Sequence, residues 1–173
     1  MVARSRGTDI LAQGSGNPGA SNVARVLGTR WGALVFVLDA LKGALPALVG
    51  VLLDSRPGAY VLVVAAVLGH MFPGTRRFRG GKGVATMGGA MLALHPVTSL
   101  VLFAVWLVAR IATGKASLAS LLITVGLPIG IAVAGAPGWE IVFVIALCAL
   151  VLVRHTENIK RLVARRELSA NSR

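Results

Sequence analysis

Charged residues are scarce in this sequence: Asp, Glu, Lys and Arg make up 14% of its 173 residues, and only 6 of them are acidic. A soluble domain of this length usually carries about 25% charged residues, so the chain has too little polar surface to cover a water-facing globule. Cys148 is the only cysteine and lies inside an apolar run, which excludes an intrachain disulfide and a thiolate metal site. Hydrophobic residues reach 55% and the mean hydropathy is +0.78, which together predict a membrane protein.

Six apolar segments follow a polar, basic leader that covers residues 1–30. Their approximate bounds are 31–53, 59–72, 84–94, 97–112, 117–134 and 138–153. The runs are continuous and lack the period-2 alternation of a transmembrane barrel, which predicts helices. Several are shorter than the ~20 residues of a full span, so some are expected to be tilted or half-embedded. We predict an all-α, polytopic membrane helical bundle of about six spans that forms a single domain over residues 1–173.

Basic residues gather on one side of this arrangement. All Lys and Arg residues except Arg56 and Lys42 fall in the N-terminal region, in the loops around 73–82 and 110–116, or in the C-terminal tail. Because loops rich in Lys and Arg remain in the cytoplasm, this side is predicted to face the cytoplasm from a bacterial cell (inner) membrane. The formal net charge of +12 then indicates anionic head groups or phosphorylated substrates as partners rather than nucleic acid.

A first glycine-rich loop on that side precedes the apolar segments. Its glycines, Gly16 among them, alternate with Ser15 and Asn17, so backbone N–H groups can close around an anion, with Asn22 and Arg25 a few residues further on.

A second glycine-rich loop contains Lys82. The lysine follows Gly80 and Gly81 at the start of a membrane segment, which combines backbone donors, the positive end of a helix dipole and a point charge. This pattern favours a phosphate or carboxylate site. A positive-inside anchor that needs no ligand is the alternative.

Further polar residues stand at or inside the apolar segments. Asp39 and Lys42 are three residues apart on one face of the first segment, where ionisable groups are costly unless they are paired or face a cavity. A purely structural ion pair is the alternative here. His155 and Asn158 follow the last segment at helical spacing, and Ser117 begins another segment.

The predicted topology brings most of these features to the cytoplasmic side, beside apolar segments that offer room for an acyl chain. Anion-binding groups on one face of a helical bundle indicate a reaction that joins a phosphorylated compound to a hydrophobic one. Two other classes remain open: a small transporter or channel for anionic metabolites, and a non-catalytic membrane protein whose basic loops bind lipid head groups.

Five stretches of the sequence carry a resemblance to one enzyme family. They are GSGNPGASNVAR (14–25), DALKG (39–43), GHMFPGTRRFRGGKGVAT (69–86), SLAS (117–120) and RHTENIKRL (154–162). In their order and separation they resemble the bacterial PlsY-type acyl-phosphate:glycerol-3-phosphate acyltransferases, and the resemblance covers nearly all of the chain.

The resemblance implies transfer of a fatty acyl group from acyl phosphate to the first hydroxyl of glycerol 3-phosphate. The products are 1-acyl-glycerol 3-phosphate (lysophosphatidic acid) and phosphate, in the first acylation of phospholipid synthesis. The resemblance implies no cofactor, and as partners it implies the membrane lipid and an acyl-phosphate-producing phosphate acyltransferase. It implies direct attack with a phosphate oxygen as proton acceptor. Ser15 as a covalent nucleophile is the competing hypothesis, although no base is adjacent to it in sequence.

The resemblance also implies roles for individual residues. Those implied in catalysis are Ser15, Arg25, Lys82 and Ser117. Those implied in substrate binding are Gly16, Asn17, Asn22, Asp39, Lys42, Gly80, Gly81, His155 and Asn158. Members of the family resemble a seven-span protein whose first helix precedes the Ser-Gly-Asn motif. This sequence begins with residues that resemble the loop after that helix. Either its start codon is misassigned or this copy lacks the helix, and the residues present predict about six spans.

Overall fold

The computed structural model of the chain describes residues 2–169, and these residues form helices joined by turns, without a β-strand. The α-helices are α1 (Ala20–Leu27), α2 (Thr29–Leu52), α3 (Arg56–Met71), α4 (Val84–Leu94), α5 (Pro96–Thr113), α6 (Ala116–Val133), α7 (Gly138–Arg154) and α8 (Thr156–Val163). The all-α prediction is therefore confirmed. Each of the six apolar segments is a helix, α2 to α7, with ends within a few residues of the predicted bounds.

The helices do not directly give the number of membrane crossings, because several are too short to span a bilayer alone. Three of them, α2, α5 and α6, are long and apolar enough to cross a membrane, and α7 with α8, bent by 60°, would make a fourth span. α4 has 11 residues, so it is roughly 17 Å long, much less than the ~30 Å hydrocarbon core. By length and composition the described residues therefore provide three to four spans, where about six were predicted.

Proline and glycine set the limits of several helices. His95 ends α4 and Pro96 is the first residue of α5, where its fixed φ suits a helix start and its missing N–H costs nothing. At the beginning of α3, the Ser55 hydroxyl caps the helix by accepting the N–H of Gly58 at 3.2 Å. Gly83 precedes α4 with φ +83°, a left-handed conformation that glycine adopts without strain.

Small residues allow the central helices to approach closely. α2 packs most extensively on α4. At this contact a Cβ on Gly43 would overlap the backbone of Thr86, and a Cβ on Gly89 would overlap the backbone of Ala40. The core continues into α3, α6 and α7, where Tyr60 and Ile131 are fully buried. By contrast, α5 has no buried residue and presents apolar side chains outward, as expected of a helix that faces lipid.

A buried polar cluster lies at the end of the bundle that was predicted to carry only one cation, Arg56. The Glu140 carboxylate is inaccessible to solvent and accepts hydrogen bonds from Arg56, at 3.0 Å from its Nη2 group, and from the Tyr60 hydroxyl at 2.8 Å. His95 Nε2 lies 2.9 Å from the same carboxylate. The cluster joins α3, α7 and the α4–α5 connection, so the single cation predicted on this side has a buried counter-ion.

Candidate active site

A cavity of about 440 Å³ opens at the other end of the bundle, between the N-terminal loop and helices α2, α4, α5 and α6. Its wall contains most of the polar residues that the sequence singled out: Ser15, Asn17, Asn22, Arg25, Asp39, Lys82, Ser117, His155 and Asn158. These residues come from positions far apart in the chain, so the tertiary fold brings the predicted polar clusters to one site. Gly16, Lys42, Gly80 and Gly81 do not line this cavity.

Lys82 carries positive charge into the cavity. Its ammonium group donates a short hydrogen bond to the Asn158 Oδ1 atom. The first residues of α4, Val84 and Ala85, line the cavity beside it, and the α4 N-terminus has no side-chain cap. The positive end of a helix and an ammonium group therefore line the same cavity, an arrangement that favours an anion.

Burial affects the protonation of Lys82. Desolvation, followed by the positive charge of Arg161, lowers the pKa of Lys82 to about 8, against the opposing effect of Glu167. At neutral pH most of this amine is still protonated, and an anion that binds there would stabilise the charged form further.

Glu167 is a member of this site that sequence reasoning missed. Its side chain is 4% exposed and accepts hydrogen bonds from Ser117 Oγ at 2.8 Å, from Asn158 Nδ2 at 2.6 Å and from Arg161 Nε at 2.9 Å. Burial acts to raise the pKa of the Glu167 carboxyl, but these three donors hold it below its usual value. The only sequence signal was that Glu167 is one of two acidic residues, with Glu157, in a mainly basic C-terminal tail.

The N-terminal loop is organised by Asn22, which is 2% exposed. Its Oδ1 atom accepts the Ser15 N–H at 2.8 Å and Arg25 Nη1 at 3.2 Å, while its Nδ2 group donates to the carbonyl oxygens of Ile10 and Gln13. Asn22 was expected to bind substrate. In the structure its side-chain amide is already hydrogen-bonded within the protein, so Asn22 shapes the wall of the cavity. Gly16 lies in the same loop with φ +67° and its N–H donates to the Gln13 carbonyl at 3.0 Å.

Arg25 reaches from α1 to the C-terminal segment. Its Nε and Nη2 groups each donate to the Ser169 carbonyl oxygen at 3.1 Å. Together with Glu167, this contact brings residues 167–169 against the polar part of the cavity.

His155 lies between α7 and α8 and is 2% exposed. Its Nδ1 atom is 2.8 Å from the carbonyl oxygen of Val151. Since a carbonyl only accepts, Nδ1 carries the hydrogen and Nε2 is left as an acceptor in the neutral ring. Burial lowers the pKa of His155 to about 4, so the ring is neutral at physiological pH.

Lys42, Gly80 and Gly81 line a second cavity of about 580 Å³, which shares Asp39 and His70 with the first. Asp39 is buried, with Lys42 Nζ at 2.6 Å and His70 Nδ1 at 3.6 Å from its Oδ1 atom. The predicted pairing of Asp39 and Lys42 is therefore present. Lys42 itself is 58% exposed and lines the second cavity but not the first.

The inner part of the first cavity is apolar. Among its lining side chains are Met87, Met91, Leu102, Ile123 and Leu127. An aromatic group of Phe36 from α2 with Phe103 and Trp106 from α5 forms one wall, with ring centroids 6.0 to 6.4 Å apart. Trp106 also donates to Ser120 Oγ at 3.2 Å. One cavity thus has a cationic, hydrogen-bonding mouth and an apolar interior.

Relatives of known name match almost the whole chain. A sequence model of the family described as glycerol-3-phosphate acyltransferase matches residues 1–165. A glycerol-3-phosphate acyltransferase of Aquifex aeolicus is 43% identical, over 96% of this chain and 88% of the relative. One of Rubrobacter xylanophilus is 40% identical, over 94% and 82%.

Solved structures match equally well. The crystal structure of PlsY (YgiH), an integral membrane glycerol 3-phosphate acyltransferase, in its glycerol 3-phosphate form superposes with a TM-score of 0.93 at 42% identity, over 97% of this chain and 85% of that one. The lysophosphatidic acid form of PlsY gives a TM-score of 0.90. Fold and cavity define an integral membrane protein with cationic side chains at the mouth of the cavity and apolar side chains in its interior. This chain belongs to the glycerol-3-phosphate acyltransferase family, and the family expected from the motifs is confirmed.

Proposed function

We propose that this protein transfers a fatty acyl group from acyl phosphate to glycerol 3-phosphate, which yields lysophosphatidic acid and phosphate. The observation that carries the proposal is the single cavity in which a cationic mouth meets an apolar interior. Such a site suits a phosphorylated donor whose acyl chain comes from lipid and an acceptor that comes from water. The forms in which PlsY was crystallised, with glycerol 3-phosphate and with lysophosphatidic acid, are the acceptor and the product of this reaction.

The reaction needs positioning and charge stabilisation more than covalent help from the protein. Acyl phosphate is a mixed anhydride with a good leaving group. The acceptor hydroxyl oxygen attacks the acyl carbonyl carbon, the bond from that carbon to the phosphate oxygen breaks, and the acceptor's proton leaves with the phosphate. Lys82, Arg25 and the N-terminus of α4 stabilise the negative charge on the phosphates and on the developing oxyanion.

His155 holds the acceptor in this proposal, beside Asn158, whose amide oxygen accepts from Lys82 and whose amide nitrogen donates to Glu167. With Nδ1 engaged by Val151, the His155 Nε2 atom can accept a hydrogen bond from a glycerol hydroxyl. A ring with a pKa of about 4 is too weak a base to keep that proton at neutral pH, whereas a phosphate oxygen with a pKa near 6 is better matched. This supports a phosphate oxygen of the substrate as the proton acceptor.

Direct attack is also supported by the surroundings of Ser15. Its backbone N–H bonds to Asn22, but among residues 2–169 its hydroxyl makes no hydrogen bond to a histidine, lysine or carboxylate side chain. A serine nucleophile needs such a base within about 3 Å. Ser15 is therefore proposed to line the phosphate site and not to carry the acyl group.

The site is proposed to face the cytoplasm of a bacterial cell whose inner membrane holds the protein. Support comes from the basic loops on the side of the cavity, since loops rich in Lys and Arg remain in the cytoplasm. The apolar lining of the inner cavity disfavours the transporter alternative, because an anion would find few polar groups along it.

The decisive experiment supplies purified protein in detergent or vesicles with glycerol 3-phosphate and one of three donors: acyl phosphate, acyl-CoA or acyl carrier protein. Lysophosphatidic acid is expected with acyl phosphate only, together with an equal amount of phosphate. Turnover with another donor would correct the donor but keep the family's reaction. No lysophosphatidic acid from any donor, with protein shown to be folded, would contradict the proposal.

Lys82 predicts the alkaline side of the pH profile. Because its pKa is lowered to about 8 and the protonated form binds phosphate, kcat/KM for glycerol 3-phosphate is expected to fall as the pH rises through about 8. Lys82→Arg provides the control, since a guanidinium keeps its proton up to a pH of about 12. The alkaline decline should be absent from the residual activity of Lys82→Arg; an identical decline in both proteins would assign it to another group.

A further inference from the structure

The segment before Lys82, Gly80–Gly81, is placed differently from what a phosphate-binding glycine loop requires. In such a loop the backbone N–H groups point at the ligand. Here the Gly80 N–H donates to the Met71 carbonyl and the Gly81 N–H to the His70 carbonyl, both at 3.2 Å. These carbonyls belong to the last turn of α3, which has no helical donors of its own for them. The two glycine N–H groups therefore complete α3 and are not available to an anion.

Gly80 and Gly81 are required because a side chain would not fit there, and not because their backbone conformation is one that only glycine adopts. Neither Gly80 nor Gly81 is among the glycines with a positive φ. A Cβ on Gly80 would overlap the backbone of α3 and lie 2.6 Å from Pro73 Cδ, and a Cβ on Gly81 would lie 2.8 Å from Cε1 of the His70 ring. The absence of side chains lets the segment lie directly on the end of α3.

Arg154 holds the other side of this segment. Its Nη2 group donates to the carbonyl oxygen of Gly80 at 3.0 Å and to that of Gly81 at 3.4 Å. Its guanidinium lies 5.4 Å from the centroid of the Phe72 ring, a favourable cation–π distance. Arg154 is the last residue of α7, so α3 and α7 clamp the two glycines between them.

The clamp ends at Lys82, whose ammonium group meets Asn158 on the helix that follows Arg154. One junction, α7 to α8, therefore holds the backbone just before Lys82 and the tip of its side chain. We infer that Arg154 is a positioning residue, which acts through the backbone of Gly80 and Gly81 to aim Lys82 and the α4 N-terminus at the cavity, while the two glycines pack on α3 and do not contact phosphate. This inference rests on the proposed role of Lys82 in acyl transfer.

The first test is a double-mutant cycle between Arg154 and Lys82. Arg154→Gln is expected to lower kcat/KM by roughly 10- to 100-fold, since misplacing a charged group by about 1 Å has effects of this size. In the Lys82→Ala background the same change should cost less than about 3-fold, because a residue that acts through Lys82 has nothing left to position. Arg154→Lys, which keeps the charge and can reach one carbonyl, should recover part of the loss.

Equal costs of Arg154→Gln in both backgrounds would overturn the positioning role. If Lys82→Ala alone leaves activity unchanged, the proposed function of Lys82 fails instead, and the two failures are thus distinguishable. Unfolding midpoints in detergent show whether each variant is folded, and Arg154→Lys continues the test if Arg154→Gln is not.

The second test concerns the glycines and uses His70. If Gly81 is small only to make room for the His70 ring, Gly81→Ala should lower kcat/KM in the native protein but have little further effect in a His70→Ala protein. If the Gly81 backbone must approach a phosphate, the added methyl should raise KM for glycerol 3-phosphate equally in both. The second result would overturn the packing role of the glycine pair.

Discussion

Lys82→Ala is expected to lower kcat/KM by about 100- to 1,000-fold, as removal of one preorganised charge-stabilising donor does in other acyl-transfer sites. Lys82 is the lysine whose amine enters the cavity, where burial makes its charge more effective than the same charge in water. The measurement is steady-state release of phosphate and of lysophosphatidic acid with saturating acyl phosphate. Protein stability should change little, because the amine's partner Asn158 keeps its bond to Glu167.

Lys160→Ala is the matched control. Lys160 lies on α8, the helix that also carries Asn158, but it is exposed and paired with Glu157 at the surface. Its loss should therefore leave activity near the native value. Near-native turnover of Lys82→Ala would remove Lys82, and with it the α4 N-terminus, from the proposed phosphate site.

Glu167→Ala is expected to lower the free energy of unfolding by about 2 kcal/mol, the order of cost when buried hydrogen-bonding groups lose a charged acceptor. The change would leave Ser117, Asn158 and Arg161 without their shared acceptor. The hydrogen bonds through which Glu167 links α8 to Ser117 of α6 would be lost. Activity should fall as well, because Asn158, which contacts Lys82, would be less well held. Thermal unfolding in detergent, followed by helical circular dichroism, measures the loss.

Two variants show what the Glu167 effect consists of. Glu167→Gln keeps an acceptor oxygen but not the charge, so its midpoint should fall between those of native protein and Glu167→Ala. Glu157→Ala removes an exposed carboxylate ten residues earlier, whose surface pair is weak, and should leave the midpoint nearly unchanged. Equal midpoints for native protein and Glu167→Ala would mean that the network does not stabilise the fold.

Much of the fold could be predicted because lipid imposes simple conditions on a sequence. Continuous apolar runs must form helices in a bilayer, and the runs ending at His95, or beginning near Ser117 and Gly138, became α4, α6 and α7 close to the predicted bounds. The number of full crossings was less predictable, since it depends on tilt and on partner helices as well as on length.

The candidate site was predicted in part. Lys82, Arg25, His155 and Asn158 were recognisable because each is a polar residue of unusual type beside an apolar run, and the motifs gave their order. Glu167 was not recognisable, because one acidic residue in a basic tail carries no local pattern. The hydrogen bonds of the Gly80 and Gly81 N–H groups to the end of α3 could not be predicted for a related reason: a glycine pair looks the same in sequence whether its N–H groups bind an anion or a helix end.

The sequence by itself determined that this protein lies in a membrane as helices, that its positive charge gathers at one end, and to which family it belongs, because composition, apolar period and motif order are properties of the chain. Only the tertiary structure decided which polar groups share a cavity and which are already occupied. Hydrogen bonds such as those of Glu167 to Ser117, Arg25 to Ser169 and Arg154 to Gly80 join residues that are far apart along the chain. Their geometry follows from helix packing, which no local pattern of residues specifies.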